Sequence, residues 1–83
     1  LFSPHAAKFY RNAPQDLRER LDKALGEIAK SPLHGPRIKR LKGFLKDYYR
    51  CRVGNYRVLY AVSSDRHEVY LDYIQHRKDV YRQ

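Results

Sequence analysis

The chain has one cysteine, no tryptophan and no methionine among its 83 residues. A lone cysteine excludes an internal disulfide and a cysteine-rich metal cluster, and it fits a reducing, cytoplasmic compartment. Acidic residues are scarce, 9 against 18 Lys plus Arg, so the formal net charge is +9. In so small a chain this field attracts polyanions and steers them in quickly, which makes nucleic acid the leading partner class. No apolar run approaches transmembrane length, no signal-peptide pattern is visible, and no basic amphipathic helix with an exposed apolar face stands out. A membrane role is therefore not expected. Repeats and low-complexity segments are missing too.

What is present is enough for one globular domain spanning 1–83. Hydrophobic residues make up 42% and aromatics 13%, with tyrosine supplying 8 of the aromatics, which argues against disorder. A chain of this size buries only about 60–65% of its unfolded surface, so the core is a single layer of helix on sheet.

The most informative segment runs from Tyr49 to Tyr60 around Gly54-Asn55. Gly-Asn between two β-rich runs signals a two-residue hairpin turn. The turn fixes the register: 53 pairs with 56, 52 with 57, 51 with 58 and 49 with 60. Tyr49, Cys51, Val53, Tyr56, Val58 and Tyr60 then share an apolar face, where Cys51 is core filler rather than a nucleophile. Arg50, Arg52 and Arg57 share the other face, with Arg52 directly opposite Arg57. Like charges so placed are destabilising. A fold that accepts them expects an anion there, although polar residues on an outward sheet face are also common.

Elsewhere, Leu1-Phe2-Ser3 reads as the end of a first strand, and Ser3 or Pro4 opens a short helix closed by Asn12-Ala13-Pro14. A second helix is predicted from about Pro14 to Lys30, with Leu17, Leu21, Ala24, Leu25 and Ile28 in one stripe. Residues 37–46 form a basic connector in which Arg37, Lys39, Arg40, Lys42 and Lys46 alternate with apolar anchors. This mixture suits either a phosphate backbone or plain solubility. Residues 69–74 are a long strand, and the tail from His76 is a turn or short helix. The expected fold is α+β in the order β-α-α-β-β-β, two helices layered on an antiparallel sheet.

These residues resemble a known family. Leu41-Lys42-Gly43, the string from Tyr49 through Arg57 to Tyr60, and His76-Arg77-Lys78-Asp79-Val80-Tyr81 are similar to the RelE/ParE superfamily of toxin–antitoxin toxins, over nearly the whole chain. The resemblance implies a small cytosolic toxin neutralised by a cognate antitoxin protein. In the RelE branch the activity is endoribonucleolytic cleavage of messenger RNA in the ribosomal A site; the ParE branch poisons DNA gyrase instead. Carried over by position, the family's catalytic residues fall on Arg50, Arg52, Arg57, Arg77 and Tyr81. The first two are lysine in the best-known members, whereas arginine is always charged and a poor proton donor. The spacing from Arg77 to Tyr81 is also shorter here.

Cutting RNA through its own 2′-hydroxyl needs a base, stabilisation of a dianionic phosphorane and a donor for the leaving 5′-oxygen. Arg52 and Arg57 suit the phosphorane, because a planar guanidinium binds two phosphate oxygens at once. Tyr81 would orient the hydroxyl or act as base, with its pKa lowered by neighbouring guanidiniums. His76 is a second candidate acid or base. Arg37, Lys39, Arg40, Lys42 and Lys46 are candidate RNA-binding cations, and Tyr48, alone of the hairpin tyrosines on the Arg side, is a candidate base-stacking residue. His5, His34 and His67 have no metal-ligand spacing, and neither a metal nor a cofactor is expected. The remaining readings are a ParE-like gyrase inhibitor without chemistry and a plain RNA- or DNA-binding module.

Overall fold

Ser3 starts the helical layer: its side-chain oxygen accepts a hydrogen bond from the Ala6 amide at 3.0 Å, and Pro4 fills the first turn, where a missing N–H is harmless. In the computed structural model, which describes residues 1–43 and 47–76, helix α1 spans Pro4–Asn12 and helix α2 spans Gln15–Lys30. Ala13-Pro14 separates them. Leu17, Leu21, Ala24 and Ile28 of α2 are buried, and Leu25 at the margin of the stripe is only partly so. The Ser31 amide closes α2 by donating to the Glu27 carbonyl. Among the described residues no helix is long and apolar enough to cross a membrane.

Four strands follow: β1 (Ile38–Arg40), β2 (Tyr48–Val53), β3 (Tyr56–Ser63) and β4 (Glu68–His76), antiparallel in the spatial order β1-β2-β3-β4. The β2–β3 register is the expected one, including Arg52 opposite Arg57. Of the two turn residues only Gly54 takes positive φ, at 60°, which is the pattern of a II′ rather than a I′ hairpin. The helix layer lies on Cys51, Val53, Val58, Tyr60, Leu71 and Ile74, all buried. Tyr60 reaches past the core to donate its hydroxyl hydrogen to the Pro32 carbonyl at 2.6 Å, which ties down the chain leaving α2.

Two helices on an antiparallel sheet is the predicted architecture, but the strands are distributed differently in two places. The first strand shrinks to one parallel bridge between Phe2 and Leu71. The Ser3 amide donates to the Leu71 carbonyl while the Ser3 side chain already caps α1, so extended backbone gives way to helix at once. In the basic connector, residues 38–40 pair with β2 instead of remaining a loop. Ile38 comes to lie opposite Cys51 and packs on the core, and the pairing satisfies backbone groups that β2 would otherwise leave open along that edge. The order is therefore α-α-β-β-β-β with an N-terminal bridge. The short C-terminal turn or helix expected after His76 lies outside the described residues.

Candidate functional site

Alternation along β2 and β3 builds a charged surface on the side of the sheet away from the helices. Arg52 and Arg57 form one row across the strands, and Lys39, Arg50 and Leu59 form the next. The two rows bring four cations from three strands together. Arg52 is exposed and Arg50 partly covered, yet Arg57 is only 7% exposed. Among the described residues it is the one buried charged side chain. A guanidinium does not shed its proton, so a buried one is a fixed positive charge in a medium that screens it weakly. Arg52, Gly54, Asn55, Tyr56 and Arg57 line a small depression at the hairpin tip.

The other predicted cations are dispersed. Arg37 makes an ion pair with Glu27 of α2 at 3.8 Å, which draws it towards the helix layer, while its carbonyl accepts from the Arg52 amide at 3.1 Å. Arg40 stands opposite Tyr49, at a position of helix-facing parity on the sheet edge. Lys42 is exposed beyond the end of β1. His76 stands opposite Tyr56, and its ring meets Tyr56 edge-on at 5.0 Å, which gives it helix-facing parity. Lys46, Arg77 and Tyr81 lie outside the described residues.

Tyr48 is on the open face, as alternation predicts, in a row with Ala61 and Tyr70. Its hydroxyl donates to the Asp72 carboxylate at 2.9 Å. That hydrogen bond, followed by burial and the negative charge of Asp72, raises the Tyr48 pKa above its ordinary value. A register shift in the β3–β4 ladder, with Tyr60 opposite Leu71 but Leu59 opposite Tyr73, makes Asp72 the extra residue of a bulge. The bulge gives Tyr70 and Tyr73 the same parity, and they are 40% and 41% exposed, Tyr73 at the β4 edge where its ring meets His5 of α1. Strict alternation would send one of them inward. The signal was an aspartate in the middle of an otherwise apolar strand, Val69-Tyr70-Leu71-Asp72-Tyr73-Ile74. Apolar positions 69, 71 and 74 step by two and then by three.

The open face therefore grades from cationic near the hairpin turn to aromatic at its other end. Such a surface can hold an anion in a fixed orientation and offer planar apolar area beside it.

Comparison with known proteins places this arrangement in a family. Residues 1–81 match the family described as the ParE toxin of the type II toxin–antitoxin system parDE. The chain is 33% identical over 84 residues to Toxin RelE3 of Methanocaldococcus jannaschii, covering 98% of this chain and 92% of that protein. It is also similar to the toxin in the crystal structure of a RelB-RelE antitoxin–toxin complex from Methanococcus jannaschii, with a TM-score of 0.76 and 30% identity over 99% of this chain and 95% of that one. The isolated E. coli RelE toxin superposes with a TM-score of 0.78 and 28% identity, covering 98% of this chain and 87% of that one.

Proposed function

The chain belongs to the ParE toxin family of type II toxin–antitoxin systems, and we propose that within it this toxin works as a ribosome-dependent endoribonuclease on messenger RNA. The observation that carries the reading is the pairing of Arg52 with Arg57 across the hairpin, with Arg50 and Lys39 in the next row. An inhibitor that acts by binding alone has no chemical need for guanidiniums gathered in adjacent rows of one sheet face. Attack of a 2′-hydroxyl on the adjacent phosphorus creates a dianionic phosphorane, and donors already fixed in place stabilise it without reorganising. Arg57, held by burial, is the fixed donor in this scheme, and exposed Arg52 closes on the second oxygen. Arg50 neutralises the neighbouring phosphate. Arg77 and Tyr81 add a further phosphate contact and the group that orients or deprotonates the 2′-hydroxyl; the P–O5′ bond then breaks to leave a 2′,3′-cyclic phosphate, and the 5′-oxygen takes its proton from solvent.

Dependence on the ribosome supplies the alignment that a free nuclease would build for itself. Lys39, Lys42, Lys46 and Tyr48 are assigned to the RNA track, with Arg37, drawn to Glu27, and Arg40, at helix-facing parity, flanking it at the sheet edge. The cytoplasm, where translation runs, is the expected site of action. A cognate antitoxin protein is the second partner, as in the complex of the similar M. jannaschii toxin. An acidic or amphipathic segment laid over the open face would neutralise many cations together, so its grip should weaken with salt.

The test is to add the purified chain to translating ribosomes and map the message by primer extension. Cuts within the A-site codon, lost in Arg57→Ala, are the expected result. An intact message, together with DNA trapped on gyrase, would replace this reading with the gyrase-inhibitor one that the ParE branch implies.

A further inference from the structure

Tyr48 belongs to β2 and Asp72 to β4, with β3 between them. Two strand spacings amount to about 9.6 Å, so a 2.9 Å hydrogen bond between their side chains closes only if the tyrosine reaches along the sheet. The residue in its path, in the same row of β3, is Ala61, small enough to let a ring lie over it. The Tyr48 ring is thus laid down on the sheet and held at its far end, leaving one face towards solvent. Tyr70 ends the same row on β4 and Tyr73 follows beyond the bulge, both well exposed. Tyr73 is itself steadied by the His5 ring at 4.5 Å. The core has its own aromatics on the opposite face, Tyr49 stacked on Tyr60, so the outer three are not needed to fill it.

The Arg50 and Lys39 row lies next to this aromatic surface, two residues from Tyr48 along β2, or about 7 Å. A ligand that presents a phosphate to one row and a planar apolar group to the next is a single-stranded polynucleotide. We propose that Tyr48, held flat by Asp72 and flanked by Tyr70, is a stacking platform for unpaired bases of the RNA whose backbone lies on Arg50, Arg52 and Arg57. Asp72 acts here as a positioning residue: it fixes the ring and does not itself touch the base. The identity of the strand as RNA rests on the endoribonuclease reading; the stacking geometry does not.

Two labelled oligoribonucleotides of equal length and phosphate number provide the test, one of adenylates and one with central abasic sites. Both are titrated into the full chain without ribosomes. The parent is expected to bind the base-bearing strand roughly five- to a hundredfold more tightly per stacked base. Tyr48→Ala should bring that ratio close to one. Tyr48→Leu, which keeps apolar cover over Ala61 but has no π-face, should do the same if the alanine variant fails to fold. Asp72→Asn keeps a hydrogen-bond acceptor and should keep the ratio, whereas Asp72→Ala should lower it without changing the circular dichroism. Arg52→Ala should weaken both strands alike and leave the ratio intact.

A parent ratio of one, or a ratio that survives Tyr48→Leu, overturns the platform, and a face reserved for a protein segment would give that outcome. A high Tyr48-dependent ratio upholds the platform even where ribosomes show no cleavage, in which case only the endoribonuclease reading falls.

Discussion

The two faces of the β2–β3 hairpin are made of alternate residues of the same strands, yet they follow different rules. Towards the helices, Cys51, Val53, Val58 and Tyr60 are excluded from water and each is stabilised by neighbours that want the same environment. Away from them, Arg52 faces Arg57 and Lys39 faces Arg50, so neighbours oppose one another. One face is held by burial of apolar surface, and the other gathers cations from three strands. Burial does not simply follow the face, because Arg57 is buried on the open side. Among the described residues it is the one charge the fold holds out of water on that side.

The sharpest way to break this contrast is to injure one face and read both properties. Leu21→Ala removes a fully buried side chain under the hairpin and should cost about 2–5 kcal/mol, seen as a fall in the denaturant midpoint. Cleavage per folded molecule should not change. Arg57→Ala should do the reverse. Its expected loss is about 2.7–4 kcal/mol of transition-state stabilisation, roughly a hundred- to thousandfold in single-turnover cleavage on the ribosome. The midpoint should move far less than in Leu21→Ala. If both variants lose stability and rate together, the division of labour between the faces is wrong.

Ser3→Ala sharpens the comparison at the sheet edge. Losing the cap of α1 should cost about 0.5–2 kcal/mol. The Ser3 hydroxyl also donates to the Asp72 carbonyl at the bulge, so faster amide exchange at Leu71 should accompany the loss. Tyr60→Phe is the mildest, at about 0.5–1.5 kcal/mol near neutral pH for the hydrogen bond to Pro32. Burial raises the Tyr60 pKa well above its ordinary value of 10.0. The folded state therefore keeps the phenol neutral, a contribution fully present below about pH 10 and lost as pH rises further towards the folded pKa. Midpoints measured from pH 9 to 11.5 should fall more steeply in the parent than in Tyr60→Phe.

The hairpin was legible because Gly54-Asn55 fixes a register and the register fixes both faces; Arg52 opposite Arg57 follows from counting. Helix α2 was legible because Leu17, Leu21, Ala24 and Ile28 keep one period over four turns. Strand β1 was not. Ile38-Lys39-Arg40 is too short to show a period, and it becomes a strand only because β2 offers an edge. The shared exposure of Tyr70 and Tyr73 was hidden for a different reason: the extra residue at Asp72 reverses the parity of the strand, and alternation is informative only until it is interrupted. The burial of Arg57 left no trace in the sequence, since alternation assigns a side and not a depth.

The bridge between Phe2 and Leu71 also sets when this molecule can exist. It joins residues 69 positions apart, so loop closure waits until Leu71 has been made. The hairpin can form early from local contacts. Without β4, however, the row containing Arg57 lacks its Gln75 neighbour, Tyr48 has no Asp72 to lie towards, and α1 has no strand to rest on. A nascent chain that stops short of β4 thus lacks the neighbours and the hydrogen bond that shape the open face.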